Sequence, residues 1–357
     1  MIVDKIDISI KKTAESNLSK LDTSRLPFGK TFSDHMFVAD YANGAWTNYR
    51  IEPYGKLEFS PSCLVFHYGQ AIFEGMKAYR TIDNKVALFR PEANIARFNK
   101  SAQRMCMPEV PDELFMEALK KLVEIDSEWV PKGENNSLYI RPFMIATDEY
   151  LGVKASEKYK FIIVTGPVGP YYTEPVKVCI ETKYTRAFEG GTGFAKAAGN
   201  YAATLLSAKR ATLNGYTQMV WTDAFEHNYI EEAGTMNMMF VIDNVLITPP
   251  LSTTILAGVT RDSVIKLAKE LNYKVEERKI GVMEIVSAAS EGRLQEAFGT
   301  GTAATIAQIC LINYEGKDIV LPMNETTNAL SNSIAKHLSN IRTGVVPDTN
   351  HWLTYVN

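Results

Sequence analysis

Cysteine is scarce in this 357-residue chain. The four residues, Cys63, Cys106, Cys179 and Cys310, are far apart and form no CxxC pair. That pattern excludes a disulfide framework or a zinc ribbon and fits reduced thiols in a cytoplasmic protein. Histidine is equally thin: His35, His67, His227, His337 and His351 are scattered, so no metal site is expected. Neither charge sign dominates. With 38 basic and 41 acidic residues the formal charge is -3 and the pI about 6.0, which leaves no electrostatic footprint for nucleic acid. Long apolar runs are missing too. The longest, Met238-Met239-Phe240-Val241-Ile242, is far short of the ~20 residues a membrane-spanning helix needs. The first residues mix acids and lysines without an apolar stretch, so no signal peptide is expected.

What is present describes a folded α/β chain. Apolar residues make up 46%, too many for disorder, and the length suits about two domains. A polar opening of some thirty residues is expected to run over the surface. Helical spacing predicts helices over 92–105 (Ile95, Phe98, Ala102 and Met105 inward) and 112–129 (Phe115, Ala118, Leu119 and Leu122 inward). Further helices are expected over 200–214, from Thr260 onward (Val264, Leu267, Ala268, Leu271) and over 328–342 (Leu330, Ile334, Leu338, Ile341). Strands are read at 85–89, 138–146, 160–165, 176–184 and 218–222, with 236–242 and 245–248 joined by an Asp243-Asn244 turn. Two glycines and two prolines in Gly166-Pro-Val-Gly-Pro170 mark the best linker. The expected division is an N-terminal domain over 1–166, a linker over 167–175 and a C-terminal domain over 176–357.

Three segments carry possible chemistry. Lys196 lies among small residues in Gly190-Gly-Thr-Gly-Phe-Ala-Lys-Ala-Ala-Gly-Asn-Tyr201, with no carboxylate close in sequence. Such a lysine, once desolvated, can act as nucleophile or base; the plain alternative is a solvated loop lysine. Thr260, read as the cap of its helix, offers backbone N–H groups to a phosphate, although the same residues would cap any helix. The glycines of Phe298-Gly-Thr-Gly-Thr302 can shape an anion-binding nest, or an ordinary turn. Two phosphate-competent loops and a lysine suggest a phosphorylated carbonyl cofactor, pyridoxal phosphate being the commonest. Glu232, in Glu231-Glu-Ala-Gly-Thr-Met-Asn237, offers the carboxylate its ring nitrogen would need.

Taken together, these segments resemble the branched-chain amino acid aminotransferases, fold-type IV pyridoxal phosphate enzymes. The likeness runs nearly end to end, through Phe28-Gly-Lys-Thr-Phe-Ser-Asp-His-Met36, His67-Tyr-Gly-Gln-Ala-Ile-Phe-Glu-Gly-Met-Lys-Ala-Tyr79, Leu88-Phe-Arg-Pro91, Leu138-Tyr-Ile-Arg-Pro142 and Leu151-Gly-Val153. It continues through the Lys196 loop, Glu232-Ala-Gly-Thr-Met-Asn237 and Gly299-Thr-Gly-Thr-Ala303. The resemblance implies a small N-terminal α/β domain, a larger C-terminal domain built on a mixed-sheet pseudo-barrel, and a homodimer. The implied reaction exchanges the amino group of leucine, isoleucine or valine with 2-oxoglutarate, giving 2-oxo acids and glutamate.

Residue by residue, the resemblance makes Lys196 the Schiff-base lysine of pyridoxal 5'-phosphate. Tyr201 would meet the cofactor's phenolic oxygen and Glu232 its ring nitrogen. Arg97, Val259, Thr260 and Thr302 would hold the phosphate. Thr235 and the Ala303 N–H would meet the substrate α-carboxylate. Phe28, Tyr68, Phe73, Tyr139, Arg141 and Tyr171 would line the side-chain pocket, and Leu151 and Val153 would reach into the neighbouring subunit's site. On physical grounds Arg97 lies off its helix's apolar stripe, free to leave the core, and most such arginines face water. The aromatic set can equally be plain core. Arg141 sits in an apolar strand, where a charge is costly unless paired. The chain departs from some animal relatives in one respect: Ala304 and Ala307 stand where those carry a CxxC redox pair. Rival readings on the same scaffold are a D-amino acid aminotransferase or an aminodeoxychorismate lyase. Rivals of another class are a non-catalytic cofactor carrier and a cofactor-free Schiff-base aldolase.

Overall fold

The computed structural model describes residues 6–356 apart from 134, 325 and 327. Of the opening segment, residues 1–5 lie outside the described residues; the rest is mainly exposed, with Ile8 and Leu26 buried. The chain forms two compact units. The first holds Met1–Tyr171, Ala195–Gly199 and Ser339–Asn357, and the second Tyr172–Phe194 and Asn200–Leu338.

In the first unit come β1 (Ser9–Ile10), β2 (His35–Ala42), β3 (Ala45–Pro53), α1 (Leu64–Tyr68), β4 (Ala71–Phe73), β5 (Met76–Arg80) and β6 (Val86–Phe89). Then follow α2 (Pro91–Arg104), α3 (Asp112–Ile125), β7 (Ser137–Ala146) and β8 (Tyr159–Val168). The sheet order is β1-β3-β2-β8-β7-β5-β6, closed at the far edge by the C-terminal strand Leu353–Val356, while β4 pairs with β7. Of the apolar stripes expected of α2 and α3, Ile95, Phe98, Ala102, Phe115, Ala118, Leu119 and Leu122 are all at most 2% exposed, whereas Met105 lies just past the end of α2 and is only partly buried. They join one core with Phe37, Leu88, Ile140 and Phe161 from the sheet.

β8 runs three residues further than expected, through Gly166-Pro167-Val168 into the proposed linker sequence. Gly166 is there for close approach rather than for a break: a Cβ would collide with the Thr31 carbonyl oxygen.

In the second unit come β9 (Val176–Ile180), α4 (Ala198–Ala202, which begins in the first unit), α5 (Leu205–Leu213), β10 (Gln218–Thr222), β11 (Ile230–Ala233), β12 (Met236–Ile242) and β13 (Val245–Thr248). They are followed by α6 (Val259–Glu270), β14 (Lys274–Glu277), α7 (Val282–Ser290), β15 (Leu294–Gly301), β16 (Thr305–Tyr314), β17 (Lys317–Val320) and α8 (Ala329–Arg342). Strands β11, β10, β9, β16, β15 and β12 pair in that order, and β12 pairs back with β11, so six strands close on themselves in a mixed barrel. The Asp243-Asn244 turn is as expected, both residues having positive φ (51° and 60°) and pairing Ile242 with Val245. The single helix expected over 200–214 is instead two, α4 and α5, parted at Ala203-Thr204, where the Thr204 hydroxyl bonds back to the Tyr201 carbonyl. Among the described residues, no helix is long and apolar enough to cross a membrane.

Candidate active site

In the first unit the backbone of Lys196 is fixed on both sides. Its N–H donates to the Ser101 hydroxyl on α2 at 2.9 Å, and its carbonyl accepts the Phe73 N–H at 3.1 Å. Its amine stands over the Phe73 ring, 4.8 Å from the centroid. The Arg141 guanidinium faces that ring as well, 4.7 Å away, and donates through Nη2 to the Tyr139 hydroxyl at 2.8 Å. Tyr139 meets Phe28 edge-on at 4.7 Å, and Phe28 meets Tyr171 at 5.1 Å. Six expected residues therefore form one contiguous group: Lys196, Phe73, Arg141, Tyr139, Phe28 and Tyr171. Arg141 has no salt bridge among the described residues; its charge rests on aromatic faces, and its buried Nε has no hydrogen-bond partner. Tyr68 is half exposed, its hydroxyl donating to the Leu151 carbonyl. Leu151 and Val153 are exposed, 62% and 85%.

One expectation about charge is corrected here. Arg97 neither faces water nor leaves the core. It is buried, and its Nε and Nη2 donate to Glu74 at 2.7 and 2.9 Å. Lys196, with no carboxylate near it in sequence, has one near it in space, because that same Glu74 feels its charge. Glu74 is wholly buried, which alone would push its carboxyl up. Arg97, Lys196 and Asn94 outweigh that and hold it below the ordinary 4.5.

In the second unit a β-bulge sets the carboxylates. Ile230–Ala233 on β11 oppose only Val220–Thr222 on β10, which interrupts the alternation of side chains. Both acids then meet the same segment. Glu231 accepts the Thr254 hydroxyl at 2.6 Å, and Glu232 accepts the Leu256 N–H at 2.5 Å. Glu232 also accepts Asn237 Nδ2 at 3.2 Å and pairs with Arg186 at 3.2 Å. Burial raises Glu231 to about 7, with the Glu232 charge adding and Thr254 opposing.

Thr260 is not the helix cap. Gly258 is, and Val259 and Thr260 occupy the first turn of α6. A glycine there leaves room for Asn237, since a Cβ would collide with its Oδ1 and force the side chain to move. The expected glycine nest is also corrected: Gly299 and Gly301 are paired strand residues of β15, kept small by Met236 and by the Thr235 carbonyl. Thr302 and Ala303 lie in the turn that follows, and Tyr201 is half buried on α4.

Comparison with known proteins places this geometry. The amino-transferase class IV family model matches residues 71–312. Branched-chain-amino-acid transaminase 1 of Bacillus subtilis (strain 168) is 48% identical over 342 residues, 94% of this chain and 96% of that protein.

The chain belongs to the class IV aminotransferases.

Solved structures agree on the fold. A branched-chain aminotransferase from Thermoproteus uzoniensis with norvaline superposes with a TM-score of 0.74 at 26% identity, covering 90% of this chain and 100% of that one. A T.th. branched-chain amino acid aminotransferase complexed with N-(5'-phosphopyridoxyl)-L-glutamate gives 0.69 at 26% identity, covering 89% and 98%. The fold-type IV architecture expected from the sequence, pseudo-barrel included, is therefore the architecture of this aminotransferase.

Sequence reasoning gave no role to the residues that brace the carboxylates: Asn94, Arg186 and Asn237. Asn237 lies inside a quoted motif, but nothing in one sequence marks Arg186 as the partner of Glu232. The residues do fit a pyridoxal phosphate. Each unit by itself carries features such a group needs: in the first, a lysine amine on an aromatic face; in the second, a carboxylate held by three donors and a helix start capped by glycine. Among the described residues, no cluster of three or more potential metal ligands occurs.

Proposed function

We propose that the chain transaminates branched-chain L-amino acids (leucine, isoleucine and valine) with 2-oxoglutarate, using pyridoxal 5'-phosphate carried on Lys196. The observation that carries the reading is the shared Phe73 ring, which bears the Lys196 amine and the Arg141 guanidinium together. An apolar side chain can lie against Phe73, Phe28 and Tyr171, while the carboxylate of a glutamate-sized substrate finds the Arg141 cation and the Tyr139 hydroxyl. One pocket thus serves both acids of the exchange.

When bound, pyridoxal 5'-phosphate supplies an electron-withdrawing ring and a carbonyl carbon able to take up an amino group. The chain's residues do the rest. Lys196 moves the α-proton, as base and then as acid. Glu232 holds the proton on the ring nitrogen, and its buried setting strengthens that interaction. Tyr201 meets the phenolic oxygen; Arg97, Val259, Thr260 and Thr302 hold the phosphate; Thr235 and the Ala303 N–H take the α-carboxylate. Tyr68 lines the pocket, and Leu151 and Val153, both exposed, serve the neighbouring site of a homodimer. Four free cysteines support a cytoplasmic setting.

Borohydride reduction followed by peptide mapping tests the reading. A phosphopyridoxyl label on Lys196 supports it, and a label elsewhere, or none, overturns it. L-Leucine turned over with 2-oxoglutarate while D-alanine is ignored separates it from the D-amino acid aminotransferases.

A further inference from the structure

We propose that the Thr300 hydroxyl is a further ligand of the cofactor's phosphate, an inference that rests on the cofactor reading above. Thr300, on β15, is 1% exposed, and its Oγ1 is buried with no hydrogen-bond partner. A buried hydroxyl left unpaired is costly, and native proteins seldom keep one without a use for it.

Register shows which way this hydroxyl points. Thr300 lies opposite Asn237 on β12, and Asn237 lies opposite Glu232 on β11. Cross-strand partners share a face, so Glu232, Asn237 and Thr300 form a polar ladder across three strands. On the other side of Thr300 the partner is Ile306, which offers it no side-chain acceptor. The Nδ2 of Asn237 is committed to Glu232 and to the Leu256 carbonyl.

The same face is covered by the start of α6. Asn237 Oδ1 lies where a Cβ of Gly258 would be, and α6 packs on β15. The opening N–H groups of a 12-residue helix and its positive end favour an anion there. The polar ladder places a donor without an acceptor on the face that α6 covers, and a phosphate at the helix start is the acceptor that fits. The hydroxyl would donate to a phosphate oxygen, supplementing the first turn of α6 from the sheet side.

The test uses Thr300→Val, which keeps the branched shape a strand favours, with Thr300→Ser restoring the hydroxyl. Apo-protein is titrated with pyridoxal 5'-phosphate, pyridoxal and inorganic phosphate, followed by tryptophan fluorescence, with circular dichroism as the check on folding. The Val variant is expected to bind pyridoxal 5'-phosphate and inorganic phosphate about tenfold more weakly and pyridoxal unchanged, the Ser variant staying within about threefold of wild type. Phosphate-ligand affinities equal to wild type in Thr300→Val, or pyridoxal weakened as much as its phosphate, overturn the proposal: the hydroxyl then serves only an ordered water or the fold. Should Thr300→Val fail to fold, Thr300→Ala is measured against Thr300→Ser, with the same outcomes. Borohydride labelling of wild-type Lys196 is run beside it. Label present with no Thr300 effect removes this inference alone, and label absent removes the cofactor reading with it.

Discussion

Two buried glutamates, one in each unit, are built from the same parts. Glu74 and Glu232 each meet an arginine, an asparagine and a backbone N–H. The difference lies in the arginine. Arg97 grips Glu74 through two nitrogens at 2.7 and 2.9 Å, whereas Arg186 reaches Glu232 with one, at 3.2 Å, and spends its other bonds on the Thr254 and Gly193 carbonyls. A two-pronged pair in a dry core uses up most of a carboxylate's capacity. Glu232 meets its arginine through a single, longer contact, beside the donors of Asn237 and Leu256. The comparison makes Glu74 a counterion held within its own unit, and it fits the role proposed for Glu232.

The sharpest way to break this contrast is to neutralise each acid in turn. Glu232→Gln is expected to lower kcat by about 10²–10³-fold, measured by 2-oxo acid formation from L-leucine. If the loss is only a few fold, Glu232 is no reagent. Glu74→Gln is expected to destabilise the fold by about 3–5 kcal/mol in chemical denaturation, because Arg97 is left buried without its acid. The pH dependence follows from the lowered pKa of Glu74. Its contribution is present above the ordinary 4.5 and disappears as pH falls through the depressed folded value, so the variant should show a flatter acid limb than wild type. Equal acid limbs would contradict the counterion role.

A smaller effect concerns substrate choice. Arg141→Ala is expected to raise KM for 2-oxoglutarate by about tenfold or more while leaving that for leucine within a few fold. An unchanged ratio would send the substrate carboxylate elsewhere. The smallest effect belongs to Glu231, neighbour of Glu232 on the same bulge. Raised to about 7, it favours the folded state below 4.5 and loses that advantage as pH rises toward 7. Glu231→Gln should melt about 2 °C above wild type at pH 8, a modest gain because the group is partly exposed, and match or trail it at pH 4. A melting difference independent of pH would remove titration as the cause.

Where structure depends on nearby residues, the sequence was readable. The stripes of α2 and α3 and the Asp243-Asn244 turn follow from spacing and turn chemistry alone, although α3 ends at Ile125, four residues before the expected Trp129. Gly166, Gly258, Gly299 and Gly301 were not readable in the same way. Each is closely approached by an atom from a distant segment, so a glycine that looks like a hinge or a nest is a point of close packing. The site divides along the same line. Motifs brought out Lys196, Arg141 and Glu232, while the salt bridges that decide how charges behave join segments no local pattern connects. Arg97 is the plainest case: its place off the apolar stripe was visible, but the buried acid that receives it was not.

The double fastening of Lys196 has one more consequence. With its amide tied to a serine on one side and its carbonyl to a strand end on the other, the main chain at this residue is an anchor post. On the role proposed for Lys196, the travel of its amine between attachment and release comes from four methylenes turning about their own bonds, a short swing arm on a fixed pivot. Its stroke can therefore be shortened or lengthened by side-chain length alone, without asking the surrounding fold to move.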